Sequence, residues 1–167
     1  MPKMYTEPSD VATLVPRELA TELRQTVEDG FRALGRIPQP LASQPLGVGK
    51  WTPKQVLGHL IDSAANNLQR FVRLQIEPAL EFPGYQQEEW VAVQCYDVMP
   101  WMQTLETWRV INLHLSHVVA HMKTGCLGHE WLWNEGPVTL GYLVEDYIAH
   151  MKHHLRQMPV FAEVAQG

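Results

Sequence analysis

His150 and His154 stand four residues apart in the segment from Thr139 to Pro159. On an α-helix each residue turns by about 100°, so an i, i+4 pair projects from one face. Leu140, Leu143, Val144, Tyr147, Ile148, Met151, Leu155 and Met158 define an apolar stripe on the same wheel. Glu145, Lys152 and Arg156 define the opposite, solvated side. His154 falls inside the stripe and His150 at its edge, whereas His153 points about 100° away from His154. Imidazoles at the border of a buried face are costly unless their nitrogens are occupied. A divalent metal ion meets that need, because the neutral imidazole is the commonest metal ligand.

Two histidines on one helix rarely complete a site. A catalytic zinc takes three protein ligands and leaves a position for water or substrate. Two sources of a third ligand stand in the sequence. His59 lies one turn past a helix start, on a polar flank beside Ser63, Asn66 and Arg70. That flank is either solvated surface or the lining of a cleft at the mouth of a bundle. His114, His117 and His121 align at i, i+3, i+7 on another helix. Their stripe lies about 125° from that helix's apolar centre, so it reads more simply as an exposed polar face.

Other chemistries fail at the motif. His129-Glu130 opens a His-Glu-x-x-His pattern, but Trp133 takes the last position. Tyr147 stands where a Glu-x-x-His di-iron motif would need its carboxylate. Nucleophile elbow, Walker loop and dinucleotide fingerprint are all missing. A net charge of −5 with scattered Lys and Arg argues against nucleic acid as a partner. Cys95 and Cys126 make neither a Cys-x-x-Cys pair nor a disulfide framework, and read as two reduced thiols of a cytoplasmic protein. The start, Met1 to Glu7, lacks an apolar stretch, so no secretory signal is expected, and no apolar run is long enough to span a membrane.

Four long amphipathic segments must position these residues. The first is expected over Pro16 to Leu34, with proline at its start and Gly35 at its end. The second begins at Thr52-Pro53-Lys54-Gln55, a capping box with proline at N1, and is expected over Pro53 to Ile76. The third is expected over Asp97 to Lys123, with Trp101, Leu105, Trp108, Leu115, Val119 and Met122 buried. The fourth is the histidine helix, over Thr139 to Pro159. Between them, Pro83-Gly84 marks a turn and Gln86 to Ala92 a short helix. Thr124 to Val138, rich in Gly and Trp, reads as an irregular loop, and strand signals are weak throughout. The 167 residues therefore predict one all-α domain over 1–167, a four-helix bundle with its site between facing helices.

With these residues assembled, the chain resembles the DinB/YfiT-like family of metal-binding four-helix proteins. The likeness runs from about Trp51 to Met158. It is carried by the block Trp51 to Ser63, containing Gly58-His59-Leu60-Ile61-Asp62, and by Thr139 to His154, containing Tyr147-Ile148-Ala149-His150. Arg70-Phe71, then Pro83-Gly84-Tyr85 and Glu89-Trp90, look like the YfiT branch. The family pattern is one histidine early in the second helix and a His-x-x-x-His pair in the last. The resemblance thus implies His59, His150 and His154 as ligands of one divalent ion, nickel or zinc. It leaves the stripe of His114, His117 and His121 without a role.

The reading taken is a metal-dependent enzyme for a small molecule, often a dimer in this family; the alternative outside catalysis is a non-enzymatic metal-binding dimeric protein whose bundle core the ion clips. Members of the family act as hydrolases or as transferases of a low-molecular-weight thiol. In hydrolysis the metal lowers the pKa of bound water, and Asp62, at a family position, is the candidate base. In thiol transfer the metal stabilises a thiolate that attacks an electrophile. Ser63, Asn66 and Arg70 are then candidates to hold the carboxylates of such a thiol, and the family evidence leans narrowly towards transfer. Asp146, one turn before His150, is a candidate partner for an imidazole N–H. Tyr147 reads as core, with its hydroxyl satisfied.

Overall fold

In the computed structural model, which describes residues 4–133 and 136–162, the chain is built from four long helices. They are α1 (Pro16–Leu34), α3 (Pro53–Arg73), α5 (Trp101–Ala120) and α6 (Leu140–Leu155), with short helices α2 (Gln39–Ala42), α4 (Gln87–Val93) and α7 (Pro159–Ala162) between and after them. Residues Met1 to Lys3, Asn134, Glu135 and 163–167 lie outside the described residues. Helix α5 packs along both α1 and α3, and α6 closes against α1 and α3. Trp101, Leu105, Trp108, Leu115, Val119 and Met122 are all buried, so the expected stripe of the third long helix is the core.

Local chemistry sets the helix ends. Thr52 accepts from the Gln55 amide and the Gln55 side chain accepts from the Thr52 amide, closing the capping box that starts α3. Thr139 caps α6 by a single bond, its hydroxyl accepting from the Tyr142 amide. Three boundaries differ from the periodicity. Helix α3 stops at Arg73, not Ile76. Helix α5 starts at Trp101 rather than Asp97, because Pro100 disfavours a helical residue before it and serves as the N-cap. It ends at Ala120, short of Lys123. The last helix stops at Leu155, and Pro159 begins a separate turn, α7.

The larger correction is a three-stranded sheet where an irregular loop was expected. Strand β1 (Ala79–Glu81) pairs in parallel with β2 (Glu130–Trp133), which pairs antiparallel with β3 (Gly136–Thr139). Leu80 lies opposite Trp131, and Trp131 opposite Val138. All three are buried, so the small sheet turns one apolar face onto the helices. Strands of three or four residues are too short to show a period of two. The β1–β2 pairing also joins segments about fifty residues apart, which no local pattern reports.

Candidate metal centre

The capping box fixes the register of α3, and so places His59 in its second turn, facing α6. His59 is 1% exposed, so the polar flank of the wheel is interior and not solvated surface. Its Nε2 lies 3.0 Å from Nε2 of His150, and donor atoms of His59, His150 and His154 all fall within 4.8 Å of one another. The rings form a triangle with centroids 5.0, 4.9 and 4.6 Å apart. Two nitrogens bound to one zinc-like ion lie about 2.9–3.4 Å apart for bond angles between 90° and tetrahedral, given bonds of about 2.0–2.1 Å. Burial pushes the His150 imidazole down to about 2 and that of His59 to about 4, and the neighbouring rings push in the same direction. Both are therefore neutral, with lone pairs to offer. His59 Nδ1 is buried and meets no hydrogen-bond partner. Converging neutral imidazoles with an unmet buried nitrogen fit a divalent cation. Among the described residues this is the one such group of three or more candidate ligands.

The other histidines are outside this group of three, though the His153 ring lies edge-on to that of His154 with centroids 5.2 Å apart. His153 is half-buried and places Nε2 3.0 Å from the Gln157 side-chain amide. His114, His117 and His121 are exposed, with His121 Nδ1 2.8 Å from the His117 carbonyl. The stripe therefore takes no part in the centre.

Around the triad the polar side chains are fixed by named partners. Asp62 is 2% exposed; its Oδ1 accepts from the Tyr96 hydroxyl at 2.8 Å and the Gln94 amide at 2.6 Å, while Oδ2 is buried without a partner. Burial raises this carboxyl above the usual range, against the two hydrogen bonds. Gly58 makes the Tyr96 bond possible, because a Cβ there would sit 2.2 Å from the Tyr96 ring. Ser63 Oγ lies 3.4 Å from His150 Nδ1. Asn66 turns back to donate to the Asp62 carbonyl, and its neighbour Asn67 faces outward instead. Asp146 bonds no imidazole: it accepts from the backbone N–H groups of Tyr5 and Thr6. Tyr147 packs edge-on against Phe71 and donates to Asn112 Oδ1, as a core tyrosine should.

An open cavity of ≈ 470 Å³ leads to His150, with Ser63, Asn67, Arg70, Tyr85, Asp146 and Trp131 on its walls. Tyr5 closes one side, its ring centroid 4.8 Å from that of His150 and 5.0 Å from that of His153. The N-terminal segment that carries it is tied to α6 twice more: Ser9 bonds Glu145, and the Tyr142 hydroxyl donates to the Thr6 carbonyl at 2.6 Å.

The sequence model of the DinB superfamily matches residues 17–158. The chain belongs to the DinB superfamily. Among solved structures, YfiT from Bacillus subtilis superposes over 99% of this chain and 95% of its own with a TM-score of 0.84. It is described as a probable metal-dependent hydrolase with an unusual four-helix bundle topology, and at 16% identity the likeness is one of fold. A search of curated protein sequences finds no significant match.

This DinB-type bundle carries the triad and one wall of the cavity, Ser63, Asn67, Arg70 and Asp146, while Tyr5, Tyr85 and Trp131 come from outside the long helices. Tyr5, Asn67, Tyr85 and Trp131 were missed in the sequence. Asn67 alone had a visible signal, since Ser63, Asn67 and Arg70 follow one another at i, i+4, i+7. No helix among the described residues is long and apolar enough to cross a membrane.

Proposed function

We propose that this protein is a divalent-metal-dependent enzyme that transfers a low-molecular-weight thiol to an electrophilic small molecule. His59, His150 and His154 would hold the ion, nickel or zinc. When bound there, the ion supplies Lewis acidity, lowering the pKa of a thiol or water in its open position. In the transfer the thiol gives its proton to solvent water, a sulfur–carbon bond forms, and the electrophile's leaving group departs with its electron pair and takes up a proton from solvent as its own basicity requires. The chain's own residues bind and orient the two reactants in the cavity beside His150. Ser63 and Arg70 on its wall are the proposed substrate contacts, with Asn67 taking the part first assigned to Asn66.

The observation that carries this reading is the engagement of the nearby carboxylates. Hydrolysis asks for a base free to take a proton from water. Asp62 is outside the cavity lining and gives Oδ1 to Tyr96 and Gln94, while Asp146, on the lining, gives Oδ1 to two backbone amides. Transfer asks for no such base. Hydrolysis is the second reading, favoured by the unpartnered Oδ2 of Asp62, with Asp62 as the base. A homodimer is part of the proposal and is read by sedimentation.

Cobalt substitution separates the two. Under the first reading, adding a cellular thiol produces an intense sulfur-to-cobalt charge-transfer band, and the loaded protein consumes thiol against an electrophile. The absence of that band with every thiol, together with cleavage of esters or amides that Asp62→Asn abolishes, replaces transfer by hydrolysis.

A further inference from the structure

Arg70 is 6% exposed, yet among the described residues no carboxylate pairs with it. Of its five N–H donors, one at Nη1 reaches Asn67 Oδ1 at 3.2 Å, and Nε is buried with no acceptor. Its plane rests on Trp131, with Cζ 4.2 Å from the ring centroid, and Phe82 lies 5.6 Å away. Stacking offsets part of the cost of desolvating a guanidinium but accepts no hydrogen bond. Burial lowers its pKa only to about 10, so it remains a cation. Tyr85 does not neutralise it: burial first of all pushes that phenol up to about 12, leaving it a neutral donor. Asp146, the acid on the same cavity wall, is held by the Tyr5 and Thr6 amides. The wall thus presents a fixed, unpaired positive fork to the cavity.

A polar row links that fork to the metal centre. Arg70 donates to Asn67, Asn67 donates to the Ser63 carbonyl at 3.0 Å, and Ser63 Oγ approaches His150. We propose that Arg70, with Tyr85 and Asn67 beside it, is a carboxylate subsite that anchors one end of the ligand while the other end reaches the histidine triad. The planar fork matches a carboxylate bidentately, and the pair forms out of water, where a charge-assisted bond is strong. This rests on the proposed function only for the fate of the ligand's far end. The anchor stands or falls by itself.

The test uses metal-free protein and no turnover. Succinate, its uncharged diamide and inorganic phosphate are titrated separately, read by tryptophan fluorescence, because Trp131 touches the guanidinium. Succinate should saturate the signal and the diamide should not. Arg70→Met should weaken succinate binding about tenfold or more, the loss expected for a hydrogen-bonded charge. Arg70→Lys, which keeps the charge and loses the fork, should fall between. Equal binding by the parent and Arg70→Met overturns the subsite, as does a response to the diamide or no saturable response to succinate. If Arg70→Met does not fold, the comparison of Arg70→Lys with the parent decides, and equal affinities overturn the bidentate anchor. Tighter binding of phosphate than of succinate replaces the carboxylate assignment. Arg70-dependent succinate binding without thiol transfer would leave the subsite standing and remove the reaction.

Discussion

The centre has two sides made by different means. On one side, helix periodicity and two threonine caps set which faces of α3 and α6 carry the histidines, and the packing of the two helices brings the three rings together across 91 residues of chain. On the other, the sheet and its flanking turns supply Trp131, Phe82 and Tyr85, which stack on or crowd Arg70. The helical side fixes the atoms that can hold an ion, and the sheet side shapes what can approach it. The two sides meet where Arg70 of α3 stacks on Trp131, and each is expected to tolerate a local change in the other.

The sharpest way to break this comparison is to remove ligands from the helical side alone. His150→Ala and His154→Ala should each lose most of the bound metal, from about one ion per chain for a three-ligand site. His153→Ala and His117→Ala should keep it. Elemental analysis decides, and metal loss in His153→Ala with retention in His154→Ala would put the ligand set one residue off.

A cut on the sheet side comes next. Trp131 is 3% exposed and supports the Arg70 plane. Trp131→Ala should cost about 3–5 kcal/mol by urea unfolding, the range for truncating a buried aromatic residue. Under native conditions it should still bind one ion. Loss of metal together with stability would mean that the two sides are one unit.

The same division explains what the sequence disclosed. The capping box, the stripes of α5 and α6, and the His150/His154 pair rest on contacts within one or two helical turns, and such contacts leave a period in the chain. His59 was ambiguous because a polar flank has the same pattern whether it meets water or lines a cleft. Only the resemblance to a family chose it. The sheet left no pattern, because its strands are short and β1 pairs with a strand about fifty residues away. Tyr5 was invisible for a like reason: an N-terminal tyrosine gains meaning only when Asp146, more than 140 residues away, binds its amide.

Acid should expose the electrostatics of the helical side. The His59 and His150 imidazoles titrate below their unfolded value, about 6.5. Between pH 6.5 and about 4 the unfolded chain binds protons at these two positions that folded His59 and His150 refuse. Stability of the metal-free protein therefore falls as pH falls through that window, by at most about 1.4 kcal/mol per pH unit for each imidazole. Replacing both histidines with Gln should flatten the slope in urea titrations across the window. An unchanged slope would mean that the imidazoles are not held neutral by burial.

The smallest effect sharpens the boundary between the two sides. Tyr5 stands at the cavity edge, and its segment is fastened to the ligand-bearing helix by Asp146, Glu145 and Tyr142. Asp146 holds two residues at once, since one carboxylate oxygen serves the amides of Tyr5 and Thr6. Asp146→Asn keeps an acceptor of similar shape but removes its charge, so it should cost about 1 kcal/mol, near the difference between a charged and a neutral hydrogen bond. The cost should fall on the segment and not on the bundle. Hydrogen exchange at the Tyr5 and Thr6 amides should then quicken about fivefold, while core amides of α5 keep their protection. Tyr5 touches the His150 ring, so loosening it should also speed removal of the ion by a chelator, with the same stoichiometry at equilibrium. Faster exchange at the two amides with no change in the rate of metal release would show that the segment lies over the centre without covering it.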